Sequence, residues 1–248
     1  MTTPRIEVHE DAAGLATAVA GELLTRLADA QESGHLPQIV LTGGSIAEAL
    51  HREVARLAAS SPVDWSHVVV WWGDERFVAP DSSDRNAVDA RAAFLDVLGV
   101  PAANVHEVPA TDAAADVDAA AAAYAEALRE HGPASGGFDV VMLGVGPDGH
   151  VASLFPGHPA LDVAGVDTVG VTGSPKPPPE RVSLTFEALG RATSVWFLVS
   201  GEGKAEAVAR AHSGTPDAPV DRHDVPAAGV TGREETIWFL DRASASRL

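Results

Sequence analysis

Four near-continuous apolar runs restrict the architectures open to this chain. They cover residues 38–42, 68–72, 138–143 and 195–199. Such runs, without polar alternation, read as strands buried in a parallel sheet. Each stops at a glycine-bearing turn: Gly43-Gly44-Ser45, Gly73-Asp74-Glu75-Arg76, Gly144-Val145-Gly146 and Ser200-Gly201-Glu202-Gly203-Lys204. Helix-periodic segments alternate with the runs. Their apolar positions are Ala12, Ala16, Val19, Leu23 and Leu27; Ile46, Leu50, Val54 and Leu57; Val88, Ala92, Leu95 and Leu98; and Val117, Ala121, Tyr124 and Leu128. Further strands are expected at 6–9, 166–171 and 236–241, a helix at 202–212, and loops at 174–179 and 213–226. The pattern predicts one α/β domain over residues 1–248, with a mainly parallel sheet and helices on both faces. Trp71 and Trp72 should face opposite sides of it.

The totals exclude several functions. The chain has 248 residues and no cysteine, so thiolate catalysis, disulfides and cysteine zinc sites are ruled out. Its 17 Lys and Arg face 35 Asp and Glu, a net charge of −18. That balance argues against a nucleic-acid partner. It also means that an anionic substrate needs a local concentration of cations. No apolar run approaches the ~18 residues of a membrane span, and the first residues carry no apolar signal core. A cytoplasmic location without membrane contact is therefore expected.

In open α/β sheets, ligands bind beyond the carboxyl ends of the strands, where all four turns should lie. Gly43-Gly44-Ser45 opens a helix, whose free N–H groups suit an anion. Ser45 and Glu48 also have the spacing of a simple capping box. Asp74, Glu75 and Arg76 put three charges after a strongly apolar strand, either aimed into the crevice or paired at the surface. Asp148-Gly149-His150 delivers an acid and an imidazole by a tight turn, placed for proton transfer near neutral pH. His158 is a second-rank candidate. Lys204 falls in the first turn of its helix, where a cation opposes the dipole unless it shares an anion with the free N–H groups. Arg181 is a second candidate cation. A metal site needs three or four converging ligands, and no HxxxH or HxH spacing marks one, so no metal is expected.

With these residues in place, the chain resembles the 6-phosphogluconolactonase family from end to end. The motifs that carry the resemblance are LTGGS (41–45), WGDERFV (72–78), LGVGPDGHVASLFPGHPAL (143–161), RVSLT (181–185) and SGEGKAEAV (200–208). The third is highly specific; GGS and GxxK alone are not. The resemblance implies a Rossmann-like fold and hydrolysis of 6-phosphoglucono-δ-lactone to 6-phosphogluconate, in the pentose phosphate pathway, without cofactor. It implies His150 as general base, with Asp148 orienting it or shaping the turn. Arg76, helped by backbone N–H groups of the 144–149 turn, would stabilise the oxyanion. Gly43, Gly44, Ser45, Asp74, Asn86, Arg181 and Lys204 would bind substrate, chiefly its phosphate. Where the family often has Ser-Asn, this chain has Arg85-Asn86. Arg85 is then a further phosphate contact or a surface residue. A monomer is favoured. Glucosamine-6-phosphate deaminases are the near alternative, but the chain lacks their glutamate after the histidine, having Ser153-Leu154-Phe155-Pro156. A non-catalytic sugar-phosphate sensor is the third reading.

Overall fold

The computed structural model describes residues 3–134, 136–215 and 217–248. Six strands form one parallel sheet: β1 (Arg5–His9), β2 (Gln38–Leu41), β3 (Val69–Trp72), β5 (Val140–Gly144), β8 (Ser194–Val199) and β9 (Glu235–Asp241). Their spatial order is β1-β9-β8-β5-β2-β3. After β2 the chain proceeds outward to β3, and after β5 it works toward the opposite edge. The strand order thus reverses between β2 and β5, and a crevice opens at such a switch point.

The continuous apolar strands are buried on both faces, as their sequences require. Helices α1 (Ala12–Glu32), α2 (Ser45–Ala58) and α3 (Asn86–Ala90) cover one face, packed on Ile39, Leu41, Val70, Trp72 and Met142. The other face carries α4 (Val117–His131), α5 (Phe186–Gly190) and α6 (Ala205–Ala211), against Val40, Trp71, Val141, Leu143 and Phe197. Trp71 and Trp72 do fall in opposite cores. Short side chains start the helices. Asp11 accepts the Gly14 N–H at 2.8 Å, and Asp116 accepts the Ala119 N–H at 2.8 Å. These bonds satisfy donors that a helix start leaves free.

Three details depart from the sequence reading. Residues 74–76 form a strand rather than a turn. β4 (Asp74–Arg76) pairs antiparallel with β7 (Arg181–Leu184), which pairs with β6 (Thr168–Val171) in a separate small sheet. Gly73 is the corner between the two sheets, donating to the Leu41 carbonyl at 2.9 Å and accepting from the Leu184 N–H at 2.8 Å. Second, α3 widens into a π turn over Arg91–Leu95. The wider turn changes the helix phase, so Ala87, Ala90, Phe94 and Leu95 are buried and Ala92 is exposed. Third, 202–204 is a short 3₁₀ turn, and α6 begins only at Ala205.

Candidate functional site

The turn after β5 is built around the space that two glycines leave. Gly146 donates to the His150 carbonyl and Gly149 donates to the Gly146 carbonyl, both at 2.9 Å. A Cβ on Gly146 would overlap the His150 ring and the Asp148 carboxylate. Gly149 has a φ of +91°, and a Cβ there would press on Val225. Over this floor, His150 Nδ1 donates to Asp148 Oδ1 at 2.5 Å. That bond leaves Nε2 as the basic nitrogen. The Phe155 ring lies 4.6 Å from the imidazole centroid. Burial alone would raise the Asp148 carboxyl, but the hydrogen bond from His150 and the His150 and Lys176 charges hold it well below the usual carboxylate range.

The facing wall follows the alternation of β4. Asp74 and Arg76 line the cleft, while the residue between them, Glu75, is fully buried. Glu75 accepts three backbone N–H groups, those of Arg76, Asn86 and Ala87, each at 2.9 Å. It therefore joins β4 to the start of α3. Asn86 closes the joint: its Oδ1 accepts from Arg76 Nη1, and its Nδ2 donates to the Asp74 carbonyl at 3.1 Å. Gly43 lies against Asn86 so closely that a Cβ would overlap the amide. Asp74 Oδ2 accepts from the Ser153 hydroxyl at 2.6 Å, which ties this wall to the histidine turn. Arg76 Nε is buried with no hydrogen-bond partner among the described residues.

These residues enclose a cleft of about 300 Å³ at the switch point. It is lined by Gly43, Gly44, Ser45, Asp74, Arg76, Asn86, His150, Arg181 and Lys204, so the structure brings together nearly every residue singled out from sequence. Asp148 stands behind His150. His158 lies elsewhere: its Nδ1 accepts the Ala160 N–H at 3.1 Å and its Nε2 meets the Thr172 carbonyl at 2.9 Å. It is a structural histidine.

Several finer expectations change. The capping box does not form: Gly44, with φ +92°, occupies the N-cap of α2, and Glu48 lies 3.9 Å from Arg52. The N-terminus of α2 consequently has no side-chain cap and opens on the cleft. Arg85 is neither a phosphate contact nor a surface residue. It is buried, donates to the Val108 carbonyl at 2.7 Å and lies 3.7 Å from Glu107. The glycine N–H groups of the 144–149 turn are not free for an oxyanion. Gly146 and Gly149 bond within the turn, and Gly144 donates to Thr42 Oγ1 at 3.2 Å. Arg181 spends Nε and Nη2 on the carbonyls of Lys176, Pro177 and Pro178, all at 3.2 Å, and so braces the 174–179 loop. Burial lowers the Arg181 pKa, an effect that Asp74 opposes.

Sequence reasoning missed Lys176, which that loop carries into the cleft. One signal was available: the chain has two lysines, Lys176 and Lys204, and both line this cleft. Lys204 Nζ donates to the Val145 carbonyl at 2.7 Å, and burial and the Lys176 charge lower its pKa.

Comparison with known proteins gives the chain a family. Residues 10–238 match the family described as glucosamine-6-phosphate isomerases/6-phosphogluconolactonase. A 6-phosphogluconolactonase of Streptomyces coelicolor is 45% identical over 99% of this chain and 95% of its own length. One from Mycobacterium leprae is 40% identical over 98% of each. Among solved structures, the 6-phosphogluconolactonase of Thermotoga maritima superposes with a TM-score of 0.82 at 27% identity, covering 96% of this chain and all of the other.

Proposed function

The chain belongs to the glucosamine-6-phosphate isomerase/6-phosphogluconolactonase family, and from that premise we propose that its cleft hydrolyses 6-phospho-D-glucono-1,5-lactone to 6-phosphogluconate, with His150 as general base. One observation carries the reading. A histidine fixed by Asp148 at 2.5 Å opens on a cleft that also holds Arg76, Lys176, Arg181 and Lys204. Four cations of an acidic molecule thus meet where a phosphate and a developing oxyanion would need them.

The substrate phosphate lies at the uncapped start of α2, on Gly44 and Ser45, with Lys204 as its counter-charge. Gly43 and Asn86 shape the adjoining wall, and Asp74 meets the sugar hydroxyls. The lactone carbonyl faces His150. Its Nε2 takes a proton from water as the water oxygen attacks C1. Arg76, whose side chain lines the cleft, stabilises the tetrahedral oxyanion. The C1–O5 bond then breaks, and the imidazolium returns the proton to the departing ring oxygen. Water supplies the atoms gained, and no cofactor or metal enters the step. The pathway reading puts the reaction in the cytoplasm. Among the described residues, no helix is long and apolar enough to cross a membrane.

The test is lactone hydrolysis by the wild type and by His150→Ala, with the lactone made in situ and an enzyme-free control for spontaneous opening. Turnover should fall on the order of a hundredfold to ten-thousandfold in a still-folded variant. Wild-type hydrolysis no faster than the control would end the lactonase reading. An undiminished variant would end the role of His150.

A further inference from the structure

The cleft's two lysines are held differently. Lys204 is tied to a backbone carbonyl, whereas Lys176 rides on the 174–179 loop. Ser174 braces that loop by donating to the Lys176 carbonyl at 3.0 Å and accepting its N–H at 3.3 Å. Arg181 holds three successive carbonyls of the same loop from below. The result is a braced backbone at Lys176. Lys176 Nζ lies 3.8 Å from Asp148 Oδ1 and 3.4 Å from His150 Nδ1. One carboxylate oxygen therefore faces an imidazole and an ammonium together.

Those two neighbours act on the imidazole in opposite senses. A carboxylate on Nδ1 fixes the tautomer that exposes Nε2, but it also favours the imidazolium, which cannot act as a base. An ammonium beside the pair disfavours a second positive charge. We propose that Lys176 is a positioning residue acting through Asp148, sharing its carboxylate so that His150 stays oriented yet unprotonated. The inference rests on the reading of His150 as general base. Other charges face the pair as well. Lys204, ahead of α6, is within electrostatic reach of Asp148 and Lys176. Asp74 and Arg76 of β4 and Arg181 of β7 line the same cleft. Asp74 is engaged by Ser153, Arg76 by Asn86 and Arg181 by the loop carbonyls. Lys204 faces the phosphate. Lys176 is the cation that also contacts the imidazole, which distinguishes it from the rest.

The experiment follows the His150 imidazole by NMR against pH, assigned by its loss in His150→Gln, in the wild type, Lys176→Gln and Lys176→Arg. Profiles of kcat and KM against pH accompany it. Lys176→Gln should raise the titration midpoint of His150 by about 0.5–1 pH unit. The low end of the range fits a lysine side chain that is 41% exposed. The acid limb of kcat should move up with the midpoint, and Lys176→Arg should restore both. A midpoint that does not move in Lys176→Gln overturns the proposal, and a rise in KM alone would make Lys176 a substrate-binding group. A midpoint that rises while the acid limb stays in place would uphold the coupling and overturn His150 as the base.

Discussion

The two walls of the cleft are built on opposite plans. The histidine turn closes within a few consecutive residues: Gly146 bonds to His150, Gly149 to Gly146, and Asp148 to His150. Outside contacts come second to that closure: Ala227 donates to the Gly149 carbonyl at 2.9 Å, Lys204 donates to the Val145 carbonyl at 2.7 Å, and Lys176 lies 3.8 Å from Asp148 Oδ1. The β4–α3 wall has no such local closure. Arg76 reaches its position through Glu75, Asn86 and Gly43, and through pairing with Arg181 far along the chain. In the turn, glycines make room for one charged pair near solvent. In the wall, a fully buried carboxylate replaces a run of missing backbone partners. The turn should therefore fail in chemistry first, and the wall in stability first.

Gly146→Ala is the sharpest challenge to the first half of that contrast. The added methyl would occupy the space of the imidazole and the Asp148 carboxylate, so the base must move. Displacing a general base should cost nearly as much as removing it, on the order of 10²–10⁴ in kcat. The turn can shift the side chains outward into the cleft, so the fold should survive. Steady-state kinetics beside a thermal melt would check this. A large loss of stability with turnover intact would break the contrast.

Glu75→Ala addresses the second half. It leaves the N–H groups of Arg76, Asn86 and Ala87 without their acceptor, while the buried Arg85 keeps Glu107 at 3.7 Å. Leaving a buried donor unsatisfied costs about 1–3 kcal/mol, so losing the shared acceptor of three should cost about 3–5 kcal/mol in all. At this chain length that lowers the melting temperature on the order of 10 °C. Urea unfolding would measure the loss directly. A change below about 1 kcal/mol would mean that the wall does not depend on Glu75.

The same contrast explains what could be read from sequence. The β5 strand and its turn were legible because their geometry is written in adjacent residues: an apolar run, spaced glycines, an acid and a histidine. The parallel sheet was legible for a similar reason, since strands buried on both faces need continuous apolar sequence. β4 was not, because three charged residues carry no hydrophobic alternation and the pairing with β7 is distant. Glu75 looked equivalent to Asp74 and Arg76 until the strand turned it away from them. Arg85 gave no sign of burial, since its place is fixed by Val108 and Glu107 on a later loop. Ser45 had the spacing of a capping box, but the left-handed turn at Gly44 put that residue at the cap instead. Lys176 sat in a proline-rich segment with no periodicity, and only the scarcity of lysine marked it.

Tyr124→Phe should have the smallest effect, and it separates support from function within the wall. β3 is the outer strand of the parallel sheet, so Trp72 has no further strand on that side. The Tyr124 hydroxyl of α4 takes that role, accepting the Trp72 N–H at 2.8 Å and donating to its carbonyl at 3.0 Å. Burial raises the phenol's pKa, so the hydroxyl remains a donor. Deleting it strands two buried backbone groups, at about 1–3 kcal/mol, or roughly 2–10 °C in melting temperature. Gly73, the next residue, is separately held by the Leu41 carbonyl and the Leu184 N–H, so β4 keeps its anchor and kcat and KM should stay unchanged. A fall in kcat beyond the loss of folded protein would show that Tyr124 places Asp74 and Arg76 through Trp72. The wall would then depend on the α4 face as well as on the buried carboxylate.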